Sequence, residues 1–170
     1  MKTIFKRLSV LIVVVLFFSC SSDSASDAPV VKTRVKITRI DVASTPNLNG
    51  AFYWDSSTDN PDLYIKCYDE IGTLAASSTT LWNYVPTSSN PFTVTFTTPI
   101  STTDLINTIL KVQVWDDDSD NNPTGLNPND KMGEVPFYIS DYTTGTNKYP
   151  NYAVKGDGNG TVVTLYFTWE

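Results

Sequence analysis

A hydrophobic period of two residues, repeated along most of the chain, limits what this sequence can become. Leu63, Ile65 and Cys67 alternate with Tyr64, Lys66 and Tyr68, and Phe92, Val94 and Phe96 alternate with three threonines. Leu110, Val112 and Val114 alternate with Lys111, Gln113 and Trp115, and Val163, Leu165 and Phe167 alternate with Thr164, Tyr166 and Thr168. Val35, Ile37, Ile40 and Val42 form a further β-branched run. Successive side chains of a strand face opposite ways, so this pattern predicts strands with one buried and one wet face. Weaker strand candidates lie at 72–76, 80–85 and 134–140. Asn-Pro, Asn-Gly and Ser/Thr clusters separate the runs, and Gly156-Asp-Gly-Asn-Gly160 reads as the connection into the last strand. Only residues 103–109 have helical character, with Asp104 placed to cap a short turn. The expected fold class is all-β, an antiparallel two-sheet β-sandwich of about eight strands.

The chain begins with Lys2, Lys6 and Arg7, followed by an apolar stretch from Leu8 to Phe18 broken only by Ser9. That stretch is short of the roughly 20 apolar residues a membrane-spanning helix needs, and reads as a secretory signal. Three segments are expected: a signal over 1–19, a tether of small polar and acidic residues over 20–31, and one domain over 32–170. Cleavage before Cys20 takes three of the 12 basic residues and leaves nine against 18 acids. Nucleic-acid phosphates demand a basic patch, so nucleic acid is excluded as a partner. Leu16-Phe-Phe-Ser-Cys20 and the Ser/Asp tail after it resemble a Bacteroidetes-type bacterial lipoprotein box. The resemblance implies lipidation of Cys20, a membrane anchor and a place in the cell envelope, on the outer membrane, periplasmic or surface-exposed. Cys67 then has no partner for an internal disulfide and reads as a buried packing residue.

The chemistry concentrates in two loops. The 110–115 strand runs into Asp116, Asp117, Asp118 and Asp120, and Asp130 returns just before the next strand. If Leu110, Val112 and Val114 face the core, Asp116 and Asp118 leave the sandwich on its inner side and Asp117 points to solvent. A second loop, before the 63–68 strand, carries Asp55, Asp59 and Asp62. Ca²⁺ takes six to eight oxygen ligands, which two such loops at one end of a sandwich can supply together. The chain has no histidine, so a Zn²⁺ or copper site is not expected. The same charges also suit solvated acidic loops on an immunoglobulin-like sandwich.

Asp62-Leu-Tyr-Ile-Lys66 resembles the Asp-Pro-Tyr-Val-Lys strand entry of C2 domains. Val114-Trp-Asp-Asp-Asp118, with Asp130-Lys-Met-Gly-Glu-Val135 beyond it, resembles their Val-Tyr-Asp-x-Asp and Asp-x-x-Gly-Glu-Val. Asn90-Pro-Phe resembles their middle-loop turn. The resemblance spans roughly residues 33–169 and implies a C2-like, calcium-dependent module with Asp55, Asp62, Asp116, Asp118 and Asp130 as ligands. Asp59 is an alternative to Asp55. Three departures stand out: no proline follows Asp62, the third loop is longer, and strand parity puts Asp62 on the outward face.

Without histidine, Ser/His/Asp and Cys/His catalysis is excluded and no enzyme is expected. Three readings remain. One is a lipid-anchored calcium-binding module that takes a protein, glycan or lipid ligand at its loop rim. Another is calcium-dependent docking on phospholipid, with Leu126 inserting. The third is a structural or carbohydrate-binding envelope sandwich, with Tyr53, Trp54, Trp82, Tyr84 and Trp115 available to stack on sugars.

Overall fold

The computed structural model describes residues 30–46, 61–69, 71–78, 82–83, 91–118 and 129–170. Nine strands lie among them: β1 (Val35–Ser44), β2 (Asp62–Tyr68), β3 (Leu74–Ser77), β4 (Trp82–Asn83), β5 (Phe92–Thr102), β6 (Ile109–Asp116), β7 (Asp130–Tyr138), β8 (Tyr152–Gly156) and β9 (Val162–Trp169). One sheet has the order β5-β1-β9-β8, the other β3-β2-β6-β7 with β4 also on β2. Every pairing is antiparallel. The fold class is therefore the antiparallel two-sheet sandwich that the alternation predicts, and Lys32–Glu170 forms one compact unit.

The period-two residues build the core between the sheets. Leu63, Ile65, Cys67, Phe92, Val112, Val114, Val163 and Leu165 are all fully buried. Burial pushes the Cys67 thiol up to about 12, so it stays a neutral packing group at physiological pH. In β1 the buried apolar residues are Val35, Ile37, Ile40 and Val42, which breaks the two-residue step. A register shift between Ile37 and Arg39 explains the break, because one extra residue returns the following side chains to the core.

Elsewhere the structure departs from expectation. Residues 103–108 form a turn, not a helix, and Ile109 already opens β6; in the turn Asp104 Oδ1 accepts from the Asn107 and Ile106 amides at 2.9 and 3.2 Å. The strand expected at 134–140 runs from Asp130 to Tyr138 and passes into a 3-10 turn, Ile139–Tyr142. β8 carries no alternation strong enough to see in sequence, since only Ala153 of its five residues is buried.

The outer face of the β5-β1-β9-β8 sheet holds a polar network around Asp41, which is 4% exposed. Arg39 donates to both carboxylate oxygens, at 2.7 and 2.6 Å. Thr93 donates to Oδ1 at 2.8 Å and Tyr166 to Oδ2 at 2.9 Å. Burial by itself pushes the carboxyl up. The bonds from Arg39, Thr93 and Tyr166, with the guanidinium charge, outweigh it and hold Asp41 below the ordinary carboxylate range. A lowered folded-state value stabilises the fold above the unfolded value, about 3.9, and the contribution disappears as pH falls through the folded value. Asp41→Asn is thus expected to be less stable than wild type at pH 7. In urea melts the difference should close as pH falls below about 4, and a gap of constant size would contradict the electrostatic account.

Candidate functional site

Three of the expected ligand residues lie at one end of three adjacent strands. Asp62 opens β2, Asp116 closes β6 and Asp130 opens β7. Asp116 is in register with Asp130 on one side and with Leu63 on the other. Directly paired residues of antiparallel strands share a face, so Asp116 and Asp130 stand together on the inner side. The phase of β6 carries Asp116 to complete burial, directly after Val112 and Val114. Asp62 takes the opposite phase from buried Leu63 and is half-buried.

The backbone ties this end together. The Asp62 amide donates to Asp116 Oδ1 at 2.9 Å, and the Asp117 amide donates to the Asp62 carbonyl at 3.0 Å. Asp116 thereby fixes the entry of β2 as well as standing at the rim. Asp117 and Asp118 follow the end of β6 and are both half-buried. Asp55, Asp59, Asp120, Cys20, Tyr53, Trp54, Tyr84 and Leu126 lie outside the described residues. Among the described residues no group of three or more His, Cys, Asp or Glu side chains is placed to hold a metal ion.

A further acid reaches this end from the other sheet. Asp157 follows β8 and its Oδ1 accepts from the Asn159 and Thr161 amides, at 2.7 and 3.1 Å. Its Gly-rich setting marked it only as a connection, and the signal that places it at the rim is tertiary. Its turn packs against Gly133 of β7, and a Cβ there would lie 2.6 Å from Asp157 Oδ2 and collide with Thr161 Oγ1. Gly133 is the point where the two sheets close against each other beside the aspartates.

On the outer face of β2 and β6, Trp115 lies 6.3 Å from Tyr64 with the rings 21° apart. Lys66 Nζ sits 4.5 Å from the Trp115 ring centroid, and the indole N–H donates to Gln113 Oε1 at 3.0 Å. Trp115 is occupied in packing the face of its own sheet. Gln113 also donates to Glu134 at 2.7 Å, and this bond, with Lys131 and Lys111 nearby, holds the Glu134 carboxyl below the ordinary range against its partial burial.

No protein-family model matches the chain, and no curated protein matches it. Similar solved structures include human GIVD cytosolic phospholipase A2 in complex with methyl gamma-linolenyl fluorophosphonate, at TM-score 0.49 and 16% identity over 81% of this chain and 17% of that one. Extended-Synaptotagmin 2, spanning its SMP and C2 domains, matches at TM-score 0.43 and 12% identity over 86% and 30%. A C2 domain of plant Extended Synaptotagmin 1 matches at TM-score 0.36 and 14% identity over 84% and 98%. The chain spans less than a fifth of the phospholipase chains it matches. The expectation of no enzyme is corrected on the chemistry, while the likeness to a phospholipase over 17% of that chain lends this one no activity. Want of histidine removes His-dependent triads but not carboxylate acid-base chemistry, so it does not exclude catalysis.

Proposed function

We propose that the chain is a C2-like module, anchored through a lipid on Cys20, that binds Ca²⁺ at its aspartate rim and takes its ligand there. The observation that carries the reading is the in-register pair Asp116 and Asp130, with Asp62 bonded to Asp116 through its amide. Carboxylate oxygens without nitrogen or sulfur donors suit a hard cation. Asp116, Asp118 and Asp130 would hold it from the third loop, and Asp62 with Asp55 or Asp59 from the first. A bound Ca²⁺ neutralises the crowded carboxylates and offers coordination positions to an anionic oxygen of a ligand.

Val35 at the start of β1 pairs with Trp169, while Ser44 at its end donates to the Gly160 carbonyl beside the rim turn. The ten residues of β1 separate the two ends by about 30 Å. A chain anchored upstream of Lys32 therefore carries its aspartates on the end away from the attachment point.

Calorimetric titration of the Cys20→Ser protein with Ca²⁺ is expected to give a dissociation constant on the order of 10⁻⁴ to 10⁻³ M. Asp130→Asn should weaken it at least about tenfold. Absence of binding heat at 10 mM Ca²⁺, or an unchanged constant in the variant, would sink the calcium reading. Calcium-dependent flotation of the same protein with phosphatidylserine vesicles would move the ligand to phospholipid.

A further inference from the structure

At the end of the sandwich opposite the aspartates, the loop 143–151 walls a cleft of about 580 Å³ lined by Thr146, Asn147, Lys148, Pro150, Asn151 and Tyr152. The depression is wide open to solvent, so a ligand would lie along it and not be enclosed. The loop is closed back on the residue before it and pinned near its C-terminal end. The Tyr149 amide donates to the Tyr142 carbonyl at 2.7 Å, and the Trp169 indole donates to the Pro150 carbonyl at 2.7 Å. Between them Tyr149 adopts φ 59°, a left-handed conformation rare for an aromatic residue, with its ring 5.3 Å from Trp169. Holding that residue fixes the backbone of Lys148 and Pro150 on either side of it, and strain of this kind gathers at sites built for a ligand.

The lining chemistry is specific. Tyr152 is 57% exposed and stands 6.0 Å from Tyr166, which in turn carries the Arg39 guanidinium at 4.5 Å from its ring centroid. Asn147 and Asn151 add two amides, each with an acceptor and two donors. Lys148 is the single charged residue in the lining, and no acid is present.

We infer that this cleft is a carbohydrate-binding site, in which the Tyr152 ring stacks on the apolar face of a pyranose and the Asn147 and Asn151 amides hold its hydroxyls. A sugar hydroxyl both donates and accepts, and an amide answers both. An aromatic face with a polar surround accepts C–H groups without requiring an opposite charge from the ligand. An extended peptide would instead pair with the backbone of β8, the edge strand of its sheet. The site is separated from the aspartate rim by the length of β9, Val162–Trp169, and owes nothing to calcium.

The test is an array of gluco-, manno-, galacto- and xylo-oligosaccharides probed with the full-length protein in detergent and EDTA, followed by calorimetry on the strongest binder. Binding in EDTA separates this site from the calcium rim, so either can fail alone. Tyr152→Ala is expected to weaken binding at least about tenfold, Tyr152→Trp to retain it, and Asn147→Ala to weaken it about threefold or more. Melting curves of the variants confirm that the fold is intact. No oligosaccharide above background, capture of peptides but not sugars, or equal binding by Tyr152→Ala and wild type overturns the assignment.

Discussion

Gly133→Ala is expected to destabilise the sandwich by about 3 kcal/mol, roughly 10 °C in melting midpoint for a unit of this size. The new Cβ would collide with Thr161 Oγ1 and stand 2.7 Å from Thr161 Cβ, and Thr161 is fully buried. A buried β-branched side chain has no alternative rotamer to retreat into, so the backbone of β7 or of the β8–β9 turn has to move. Gly158 supplies the control. It has φ +82° but nothing within 4 Å of its would-be Cβ, so Gly158→Ala carries only the backbone cost of about 1 kcal/mol. If both variants lose the same stability, steric closure at Gly133 is not what holds the sheets together there. A second substitution separates the causes further: Thr161→Gly in the Gly133→Ala background removes the two Thr161 atoms and leaves only Asp157 Oδ2, the end of a side chain that can turn aside. The pair should then show a favourable coupling of about 1–3 kcal/mol.

The strands were legible because burial on one face forces the two-residue period; in β2, β6 and β9 the core followed it, while in β5 Val94 and Phe96 are only partly buried against it. β6 is the clearest case, its alternation running unbroken from Leu110 to the buried Asp116. What sequence could not show was tertiary. The bulge in β1 is written as an odd gap between Ile37 and Ile40, but only the shared register with β5 and β9 reveals which side of the gap slips. The approach of Gly133 to Thr161 joins residues from different sheets, and no local pattern encodes it. At the rim, sequence supplied the acids and the parity of Asp116, while the amide bond from Asp62 to that carboxylate emerged only with the fold. Tyr149 and the cleft beside it left no periodic signal, because a left-handed turn residue repeats with nothing.

Calcium is expected to raise the melting temperature, and EDTA to lower it. A ligand at 100 times its dissociation constant stabilises the folded state by about 2.7 kcal/mol, which at this size is a shift of roughly 10 °C. For a constant on the order of 10⁻⁴ M that condition is met near 10 mM. Asp116→Asn discriminates binding from general charge screening. Asparagine keeps a carbonyl oxygen that can accept the Asp62 amide, so the entry of β2 survives while one carboxylate charge is lost. The variant should melt near the wild type in EDTA and respond little to calcium, whereas screening alone would act on both proteins alike and equally well with sodium at matched ionic strength. Mg²⁺ should stabilise less than Ca²⁺, since it sheds its waters reluctantly and demands near-octahedral geometry from the side chains. Equal shifts with Mg²⁺, or none with either ion, would make the rim a set of solvated acidic loops. In that case the bond from the Asp62 amide would give Asp116 a structural role, and the rim would be a corner of the sandwich.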